Sequence, residues 1–170
     1  LIFMLEDKLG YLDVVFALTY DSGCNFEDGL STLTIWDTII HNYLMDQNVV
    51  IPTKKPTPGN AGQIVGGFVK EPRVGMSEWV MSFDLNSLYP HLIMQYNISP
   101  DTRARGREVM DLGRIAGKAS VDAFLNQTID TSPLIERDLT VTANGKFYRK
   151  DKQGFLSTLM FNMYNDRKKY

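Results

Sequence analysis

Apolar residues repeat with helical spacing over the first quarter of the chain. In residues 1–20 the repeat is formed by Leu1, Leu5, Leu9, Leu12 and Phe16. This spacing predicts an amphipathic helix. A loop follows, and Ser31 at its end is a candidate N-cap for a second helix. The apolar stripe of that second helix consists of Ile35, Trp36, Ile39, Ile40, Tyr43 and Leu44. We expect this stripe to serve packing.

Strand patterns occupy the middle and the last third of the chain. Residues 51–63, "IPTKKPTPGNAGQ", contain three prolines and two glycines and are interpreted as a linker or a crossing between domains. The next apolar runs, "IVGGFVKEP" (64–72) and "EWVMSFDL" (78–85), are two strand candidates. In "LTVTANGKFYRK" two alternating runs flank Asn144-Gly145. That dipeptide predicts a hairpin with a type I′ turn.

Three further helices are predicted, with a basic region between the first and the second. They cover residues 88–96, the segment "SVDAFLNQTI" and residues 155–170. Residues 101–118 are rich in arginine and turn-like. The segment from Arg103 to Asp138 is interpreted as no more than a candidate phosphate-contacting surface.

Composition and charge limit the classes of function. The chain has 170 residues, of which 44% are hydrophobic and 22% charged, as in ordinary globular proteins. Residues 1–48 contain eight acids against one base, a net charge of −7, whereas residues 146–170 contain seven bases against two acids, a net charge of +5. The C-terminal end therefore either faces an anionic partner or is a solvated basic face.

Cysteine and histidine are too few for several kinds of site. The chain has one cysteine and two histidines, which excludes an internal disulfide and argues against a zinc site. No run of 18 apolar residues is present. We therefore expect a soluble, intracellular protein without a membrane partner. The chain begins at Leu1 within a helical pattern and stops at "MYNDRKKY" without a stop signal, so we interpret it as a fragment of a longer protein.

Asp84 stands where an apolar run meets the predicted helix of residues 88–96. A strand that ends at Asp84 would be followed by Asn86 or Ser87 as helix cap and by Pro90 in the first turn, where its missing N–H is harmless. The free N–H groups at this helix start would then point into the space beside the carboxylate.

A carboxylate and an anion site at the same place repel each other unless a divalent cation lies between them. Mg²⁺ commonly binds through carboxylates together with substrate phosphates. The segment around Asp84 therefore predicts a metal–nucleoside triphosphate site. The alternative is that Asp84 is an ordinary helix cap and Tyr89 a core aromatic residue.

Three motifs resemble those of the family B, or polymerase α-like, DNA polymerases. "DLNSLYP" resembles motif A, D-x-x-S-L-Y-P, and "GGFVKEPRVG" is similar to the family's G-G/A-x-V-x-x-P-x-x-G segment. "NGKFYRKDKQGFLSTLMFNMYNDRKKY" is similar to the stretch that leads into the fingers domain. "NISPDT" and "TIWDTIIHNYL" resemble the branch found in tailed bacteriophages. The motifs occur in the family's order and span about residues 32–170.

The resemblance implies a role for individual residues. Asp84 would be one of two catalytic aspartates that bind metal, with the Leu85 carbonyl as a further ligand. The incoming triphosphate would be held by Ser87, Leu88 and Tyr89, and the Tyr89 ring would act as a steric gate against a 2′-hydroxyl. Arg167 would grip the γ-phosphate, because a guanidinium fork suits phosphate oxygens. By the same resemblance, Gly66 and Gly67 would contact DNA.

The implied activity is the transfer of dNMP from a dNTP to a primer 3′-OH with two Mg²⁺ ions. The partners would be primer-template DNA, the dNTP and the remainder of the polymerase chain, with a sliding clamp as a further candidate. The location would be the cytoplasm of a phage-infected bacterial cell. The family's D-T-D motif, with the second aspartate, is not in these residues, so we expect the fragment alone to be inactive. Alternatives are a separately encoded subunit of a split polymerase and a non-catalytic nucleic-acid-binding module.

The expected fold class is α+β, with part of a polymerase palm made of an antiparallel sheet and helices. Residues 1–14 would end the exonuclease domain, and residues 15–60 would belong to the N-terminal domain and the crossing to the palm. Residues 61–154 would be palm, and residues 155–170 would begin the fingers. The chain departs from the family pattern at three positions, where Ile64 replaces Tyr, His91 replaces Ser and Ser157 replaces Pro.

Overall fold

The computed structural model describes residues 1–53, 67 and 69–169. The chain divides into two compact units, residues 1–75 and residues 76–170. Helices and a small antiparallel sheet make up the described residues, so the expected α+β class is confirmed. None of the helices in the described residues is long and apolar enough to cross a membrane.

The first unit is helical. It contains α1 (Ile2–Leu9), α2 (Tyr11–Ser22), a 3₁₀ helix (Phe26–Leu30) and α3 (Thr32–Asp46). The single helix predicted for residues 1–20 is wrong, because Gly10 adopts a left-handed conformation with φ of 61° and separates α1 from α2. The absence of a Cβ makes this conformation accessible to glycine.

The helices of the first unit meet through small and polar residues. A Cβ on Gly29 would lie 2.3 Å from Thr19 Cγ2, so the 3₁₀ helix packs against α2 only with glycine there. Asn42 Nδ2 donates to the Ser22 carbonyl at 3.1 Å and links α3 to α2. The predicted cap of α3 is confirmed, since Ser31 Oγ accepts the Thr34 N–H at 3.4 Å.

The second unit combines five helices, a 3₁₀ helix and a hairpin in its described residues. These elements are α4 (Leu88–Tyr96), the 3₁₀ helix (Gly106–Leu112), α5 (Gly113–Lys118), α6 (Val121–Leu125), α7 (Ser132–Glu136), β1 (Leu139–Val141), β2 (Phe147–Arg149) and α8 (Phe155–Lys169). The helices predicted after Ser87, within "SVDAFLNQTI" and after Gly154 are confirmed. The region 101–118, predicted as turns, is largely helical.

The predicted hairpin is confirmed, but its turn differs from the prediction. Strands β1 and β2 pair in antiparallel register with Val141 opposite Phe147. Gly145 has φ of 71°, whereas Asn144 is not among the residues with positive φ. A type I′ turn needs positive φ at both central residues. The Gly145 N–H instead donates to the Thr142 carbonyl at 2.8 Å, which fits a three-residue loop with glycine in the left-handed position.

The core of the second unit lies around this hairpin. Residues 102–104 run beside β2, where the Ala104 N–H donates to the Phe147 carbonyl and the Arg149 N–H donates to the Thr102 carbonyl. The buried apolar cluster comprises Ala104, Leu112, Leu134, Leu139, Val141 and Phe147.

At the start of α7, hydrogen bonds from the backbone and the side chain of Ser132 lower the pKa of the Asp130 carboxyl.

The strand predicted for residues 78–85 is wrong for this structure. Residues 69–87, all of them described, contain no strand. A strand is held by backbone pairing with a neighbour, and no such pairing reaches residues 78–85 within the described part of the chain. The apolar side chains there are consequently exposed, Trp79 at 97%. The other strand candidate, residues 64–72, falls partly outside the described residues, and its described part is not a strand.

Candidate active site

The segment from Asp84 to Pro90 leads into α4 and adopts an unusual backbone conformation. Ser87 is the N-cap of α4 with φ of 53° and ψ of 47°, in the left-handed region. A non-glycine residue there costs on the order of 1–3 kcal/mol unless its surroundings support it. The Ser87 hydroxyl donates to Asn86 Oδ1 at 3.2 Å instead of capping the helix. Such strain, when it is supported, often marks a functional position.

The first turn of α4 exposes backbone donors. The first N–H with an intrahelical partner is that of His91, which donates to the Ser87 carbonyl at 3.1 Å. Pro90 lies one residue earlier, so its missing N–H leaves no helical bond unmade, as predicted. The N–H groups of Leu88 and Tyr89 precede the intrahelical ladder and are available to a ligand. They lie at the positive end of the α4 dipole, which favours an anion.

Two predicted nucleotide-binding residues, Ser87 and Arg167, meet at this helix start. Arg167 Nη1 donates to Ser87 Oγ at 3.2 Å. The contact arises because α8 packs antiparallel to α4. At the other end of α4, the fully buried Ser157 donates its hydroxyl to the Ile93 carbonyl at 3.1 Å. A guanidinium group therefore lies beside the free N–H groups of α4, and such an arrangement suits a phosphate.

Sequence reasoning placed the end of α4 at residue 96 but missed the contacts of Asn97, which follows the helix directly. Its backbone is left-handed, with φ of 54°. Its side-chain amide donates to the carbonyls of Arg149 at 2.6 Å and Lys152 at 2.8 Å, and its oxygen accepts the Gly154 N–H at 2.9 Å. Asn97 thus joins α4 to the end of the hairpin and the start of α8. An asparagine just after a helix was the available signal.

The other predicted site residues are exposed. Asp84 and Leu85 lie on the surface of the second unit, and Tyr89 is 71% exposed, which does not fit a core aromatic residue. Two acids of the arginine-rich region pair with arginines outside it, since Arg149 contacts Glu108 at 3.4 Å and Arg137 contacts Asp111 at 3.2 Å. Of the two predicted DNA contacts, Gly67 is exposed and Gly66 lies outside the described residues.

Comparison with known proteins decides the family. The model of DNA polymerase family B matches residues 26–170. The chain belongs to DNA polymerase family B. It is 33% identical to the DNA-directed DNA polymerase of Escherichia phage RB69 over 170 residues and 31% identical to that of Enterobacteria phage T4 over 163 residues. These alignments cover 99% and 95% of this chain.

Another DNA polymerase matches over a shorter stretch of this chain. A DNA polymerase of Pyrococcus horikoshii is 47% identical over 53 residues, which is 31% of this chain and 4% of that protein. The chain spans 17% of the length of each of the two phage polymerases. The family B assignment therefore concerns a segment of proteins that are several times longer.

The donor atoms at the start of α4 suit a hard divalent cation. The Asp84 carboxylate and the Leu85 carbonyl are oxygen ligands of the kind that Mg²⁺ prefers. Within the described residues, no group of three or more His, Cys, Asp or Glu side chains could hold a metal ion. Mg²⁺ usually keeps waters and shares its ligands with substrate phosphates. The oxygen atoms of Asp84 and Leu85 are therefore chemically compatible with a divalent cation that takes its other ligands from elsewhere.

Proposed function

We propose that this chain is the segment of a template-directed DNA polymerase that carries motif A and the start of the fingers. The complete enzyme would transfer dNMP from a dNTP to a primer 3′-OH. The observation that supports this proposal best is the contact between Ser87 and Arg167 at 3.2 Å. The two residues come from separate motifs of the family, and they meet where a helix start offers free N–H groups.

The proposed triphosphate site is formed by the start of α4 and the far end of α8. The N–H groups of Leu88 and Tyr89 would bind phosphate oxygens, with the Ser87 hydroxyl beside them. Arg167 would contact the γ-phosphate with a planar pair of donors. Arg167 lies in the last turn of α8 and is exposed, so it is accessible to a ligand.

The proposed metal ligands are the Asp84 carboxylate and the Leu85 carbonyl. Two Mg²⁺ ions, when bound, would stabilise the charge that develops on the attacking and leaving oxygens. The Asp84 carboxylate would bind metal close to the positive N-terminus of α4. A second carboxylate from the remainder of the polymerase would complete the ligand set. The chain alone would therefore not polymerise.

The proposed nucleotide selection rests on the Tyr89 ring. Tyr89 occupies the second position of α4 and is largely exposed, so its ring is free to lie under a bound sugar. A ring in that place would exclude a 2′-hydroxyl by contact. Discrimination between deoxyribose and ribose would then depend on the bulk of the side chain.

The remaining assignments extend the proposal to the complete enzyme. The domain limits at residues 14, 60 and 154 stay predictions, as does the contact of Gly66 and Gly67 with primer-template DNA. The partners would be primer-template DNA, the dNTP, the rest of the polymerase and a sliding clamp. The enzyme would act in the cytoplasm of a phage-infected bacterial cell.

The deciding experiment replaces Asp84 in the full-length polymerase. Asp84→Asn and Asp84→Ala should lower single-nucleotide incorporation by about 1000-fold, since a metal ligand contributes several kcal/mol to transition-state stabilisation. Binding of primer-template DNA, measured by fluorescence anisotropy, should change by less than about twofold. The matched control is Asp122→Asn, an exposed carboxylate on α6 that should leave both measurements unchanged.

The outcomes separate the proposal from its alternatives. Incorporation that survives in Asp84→Asn would refute the catalytic role. A wild-type full-length protein that binds DNA but never incorporates a nucleotide would favour the non-catalytic binding module. Incorporation that appears only after a second polypeptide is added would favour a split polymerase.

A further inference from the structure

The side chain of His91 makes two contacts at the start of α4. Its Nδ1 lies 2.9 Å from the Ser87 carbonyl oxygen. A carbonyl oxygen can only accept, so Nδ1 carries the hydrogen and donates it. The same oxygen accepts the backbone N–H of His91 at 3.1 Å. Residue 91 therefore supplies two donors to the carbonyl of the strained residue Ser87.

The ring of His91 also packs against α8. The ring centroids of His91 and Tyr164 are 4.7 Å apart with an interplanar angle of 81°, an edge-to-face arrangement. On the same Tyr164 ring, Lys168 Nζ lies 4.6 Å from the centroid. Tyr164 and Arg167 are three positions apart in α8, and residues at this spacing are neighbours on a helix surface. His91 thus touches the part of α8 that presents Arg167 to Ser87.

We propose that His91 is a positioning residue for the incoming nucleotide, an inference that rests on the proposed function. Its Nδ1–H holds Ser87 in the left-handed conformation, and its ring seats Tyr164. Together these contacts keep the N–H groups of Leu88 and Tyr89 aligned with the Arg167 guanidinium. The chain has histidine here where the family resemblance gives serine, so the Tyr164 contact is a particular feature of this sequence.

This arrangement should act on dNTP binding rather than on the transfer step. The triphosphate would be bound by groups from α4 and α8, and both groups depend on the His91 contacts. Asp84 precedes Ser87 by three residues. Among the described residues, the hydrogen bond of the His91 ring goes to Ser87 and none joins His91 to Asp84. Loss of the His91 contacts should therefore raise KM for dNTP and leave kcat nearly unchanged.

The two roles of His91 can be separated by substitution in the full-length polymerase. Asn places an Nδ2–H2 group on the branch where His carries Nδ1, so His91→Asn keeps the donor and loses the ring. Phe keeps the ring against Tyr164 and loses the donor, and Ala loses both. We expect KM for dNTP to rise about 3- to 10-fold in His91→Phe and His91→Ala, as for one lost hydrogen bond. His91→Asn should raise KM less than His91→Phe, because it keeps the donor to Ser87 and loses only the ring contact with Tyr164. Asp122→Asn serves as the exposed control.

The effect of His91→Phe on KM, compared with and without Arg167, distinguishes a positioning role from a purely structural one. If His91 acts through the alignment of Ser87 with Arg167, His91→Phe should have a smaller effect on KM in an Arg167→Ala background than in wild type. Circular dichroism and thermal melting of each variant check folding. His91→Asn and His91→Phe keep most of the side-chain volume, so their comparison remains decisive if His91→Ala unfolds.

Three results would overturn the inference. The first is an unchanged KM for dNTP in His91→Phe. The second is a larger rise of KM in His91→Asn than in His91→Phe, since the ring contact and not the donor to Ser87 would then dominate. The third is an equal effect of His91→Phe with and without Arg167. These results are distinct from failure of the proposed function, which would appear as undiminished incorporation by Asp84→Asn whatever the His91 variants do.

Discussion

Arg167 and Ser87 are 80 residues apart in the sequence, yet Arg167 Nη1 donates to Ser87 Oγ at 3.2 Å. The antiparallel packing of α8 on α4 brings them together. Ser157 fixes one end of this pair of helices by its bond to Ile93, and Arg167 closes the other end. Because α8 would begin the fingers, a change in its packing on α4 would move Arg167 away from the triphosphate site. Such movement of a phosphate-binding group would couple nucleotide binding to closure.

Replacement of Arg167 tests this contact directly. Arg167→Ala in the full-length polymerase should raise KM for dNTP by about 10- to 100-fold, the cost of losing a charged hydrogen bond. Arg167→Lys should fall between Ala and wild type, because an ammonium group keeps the charge but lacks the planar fork. Steady-state single-nucleotide incorporation over a range of dNTP concentrations measures both.

A nearby lysine provides the control for Arg167. Lys169 Nζ pairs with Asp166 Oδ1 at 2.8 Å and is well exposed, so Lys169→Ala should leave KM for dNTP unchanged. An equal rise of KM in both variants would mean that the basic end of α8 acts through net charge alone. In that case the specific contact between Arg167 and Ser87 would have no role.

Removal of the Tyr89 ring should relax sugar selection. Tyr89→Ala should raise the ratio of kcat/KM for rNTP to that for dNTP by about 10- to 100-fold, the range that one steric contact can supply. Tyr89→Phe keeps the ring and should preserve the preference. Since the side chain is exposed, the Ala variant should melt within a few degrees of wild type. An unchanged sugar preference in Tyr89→Ala would show that this ring is not the gate.

Local patterns gave good predictions where the signal lies within a few residues. Helix α4 starts directly after Ser87 and ends directly before Asn97, as predicted, because Pro90 suits a first turn and asparagine suits a left-handed helix end. The hairpin followed from alternation around Gly145. Its turn type did not, because Asn144-Gly145 fits both a type I′ turn and a longer loop, and strand register decides between them.

Long-range contacts could not be predicted from local sequence patterns. The amide of Asn97 bonds to backbone atoms 52 to 57 residues away, and no local rule specifies such partners. The strand predicted for residues 78–85 failed for the related reason that alternation specifies a strand only when a neighbouring strand pairs with it. The resemblance to two separate motifs of the family, in contrast, predicted Ser87 and Arg167 as parts of one triphosphate site before the structure placed them in contact.

Asn97 should be a main determinant of stability in the second unit. Asn97→Ala removes three hydrogen bonds, leaves the buried Gly154 N–H unpaired and places alanine in a left-handed conformation. The cost should be roughly 3 kcal/mol. Asn97→Gly removes the same bonds but tolerates positive φ, so it should cost about 1 kcal/mol less. Thermal melting and limited proteolysis of the full-length polymerase measure the loss.

The control for Asn97 is an exposed asparagine on α8. Asn162→Ala should leave the melting temperature nearly unchanged. If Asn97→Ala and Asn162→Ala melt alike, the three hydrogen bonds of Asn97 contribute little and α8 is held to α4 by other contacts. If Asn97→Gly is as destabilised as Asn97→Ala, backbone strain contributes nothing to the loss.

Gly154, at the start of α8, should tolerate no side chain. A Cβ on Gly154 would lie 2.5 Å from Ser99 Cβ and 3.0 Å from Thr102 Cγ2, so Gly154→Ala must push the start of α8 away from the segment that follows α4. Overpacking of this kind costs about 1–3 kcal/mol. In Gly117, on α5, a Cβ would meet no described atom within 4 Å, so Gly117→Ala should be neutral or stabilising by up to about 1 kcal/mol. Comparison of Gly154→Ala with Gly117→Ala separates the steric effect at Gly154 from the general effect of replacing glycine by alanine.

Displacement of α8 by Gly154→Ala should also weaken dNTP binding, because Arg167 lies on the same helix. We expect KM for dNTP to rise in Gly154→Ala and not in Gly117→Ala, in the same incorporation assay. Ser99→Gly removes the nearest obstructing atom, so the double variant Gly154→Ala, Ser99→Gly should be less destabilised than the two single losses combined. A Gly154→Ala enzyme with wild-type melting temperature and wild-type KM would contradict both the close packing at Gly154 and the dependence of the triphosphate site on it.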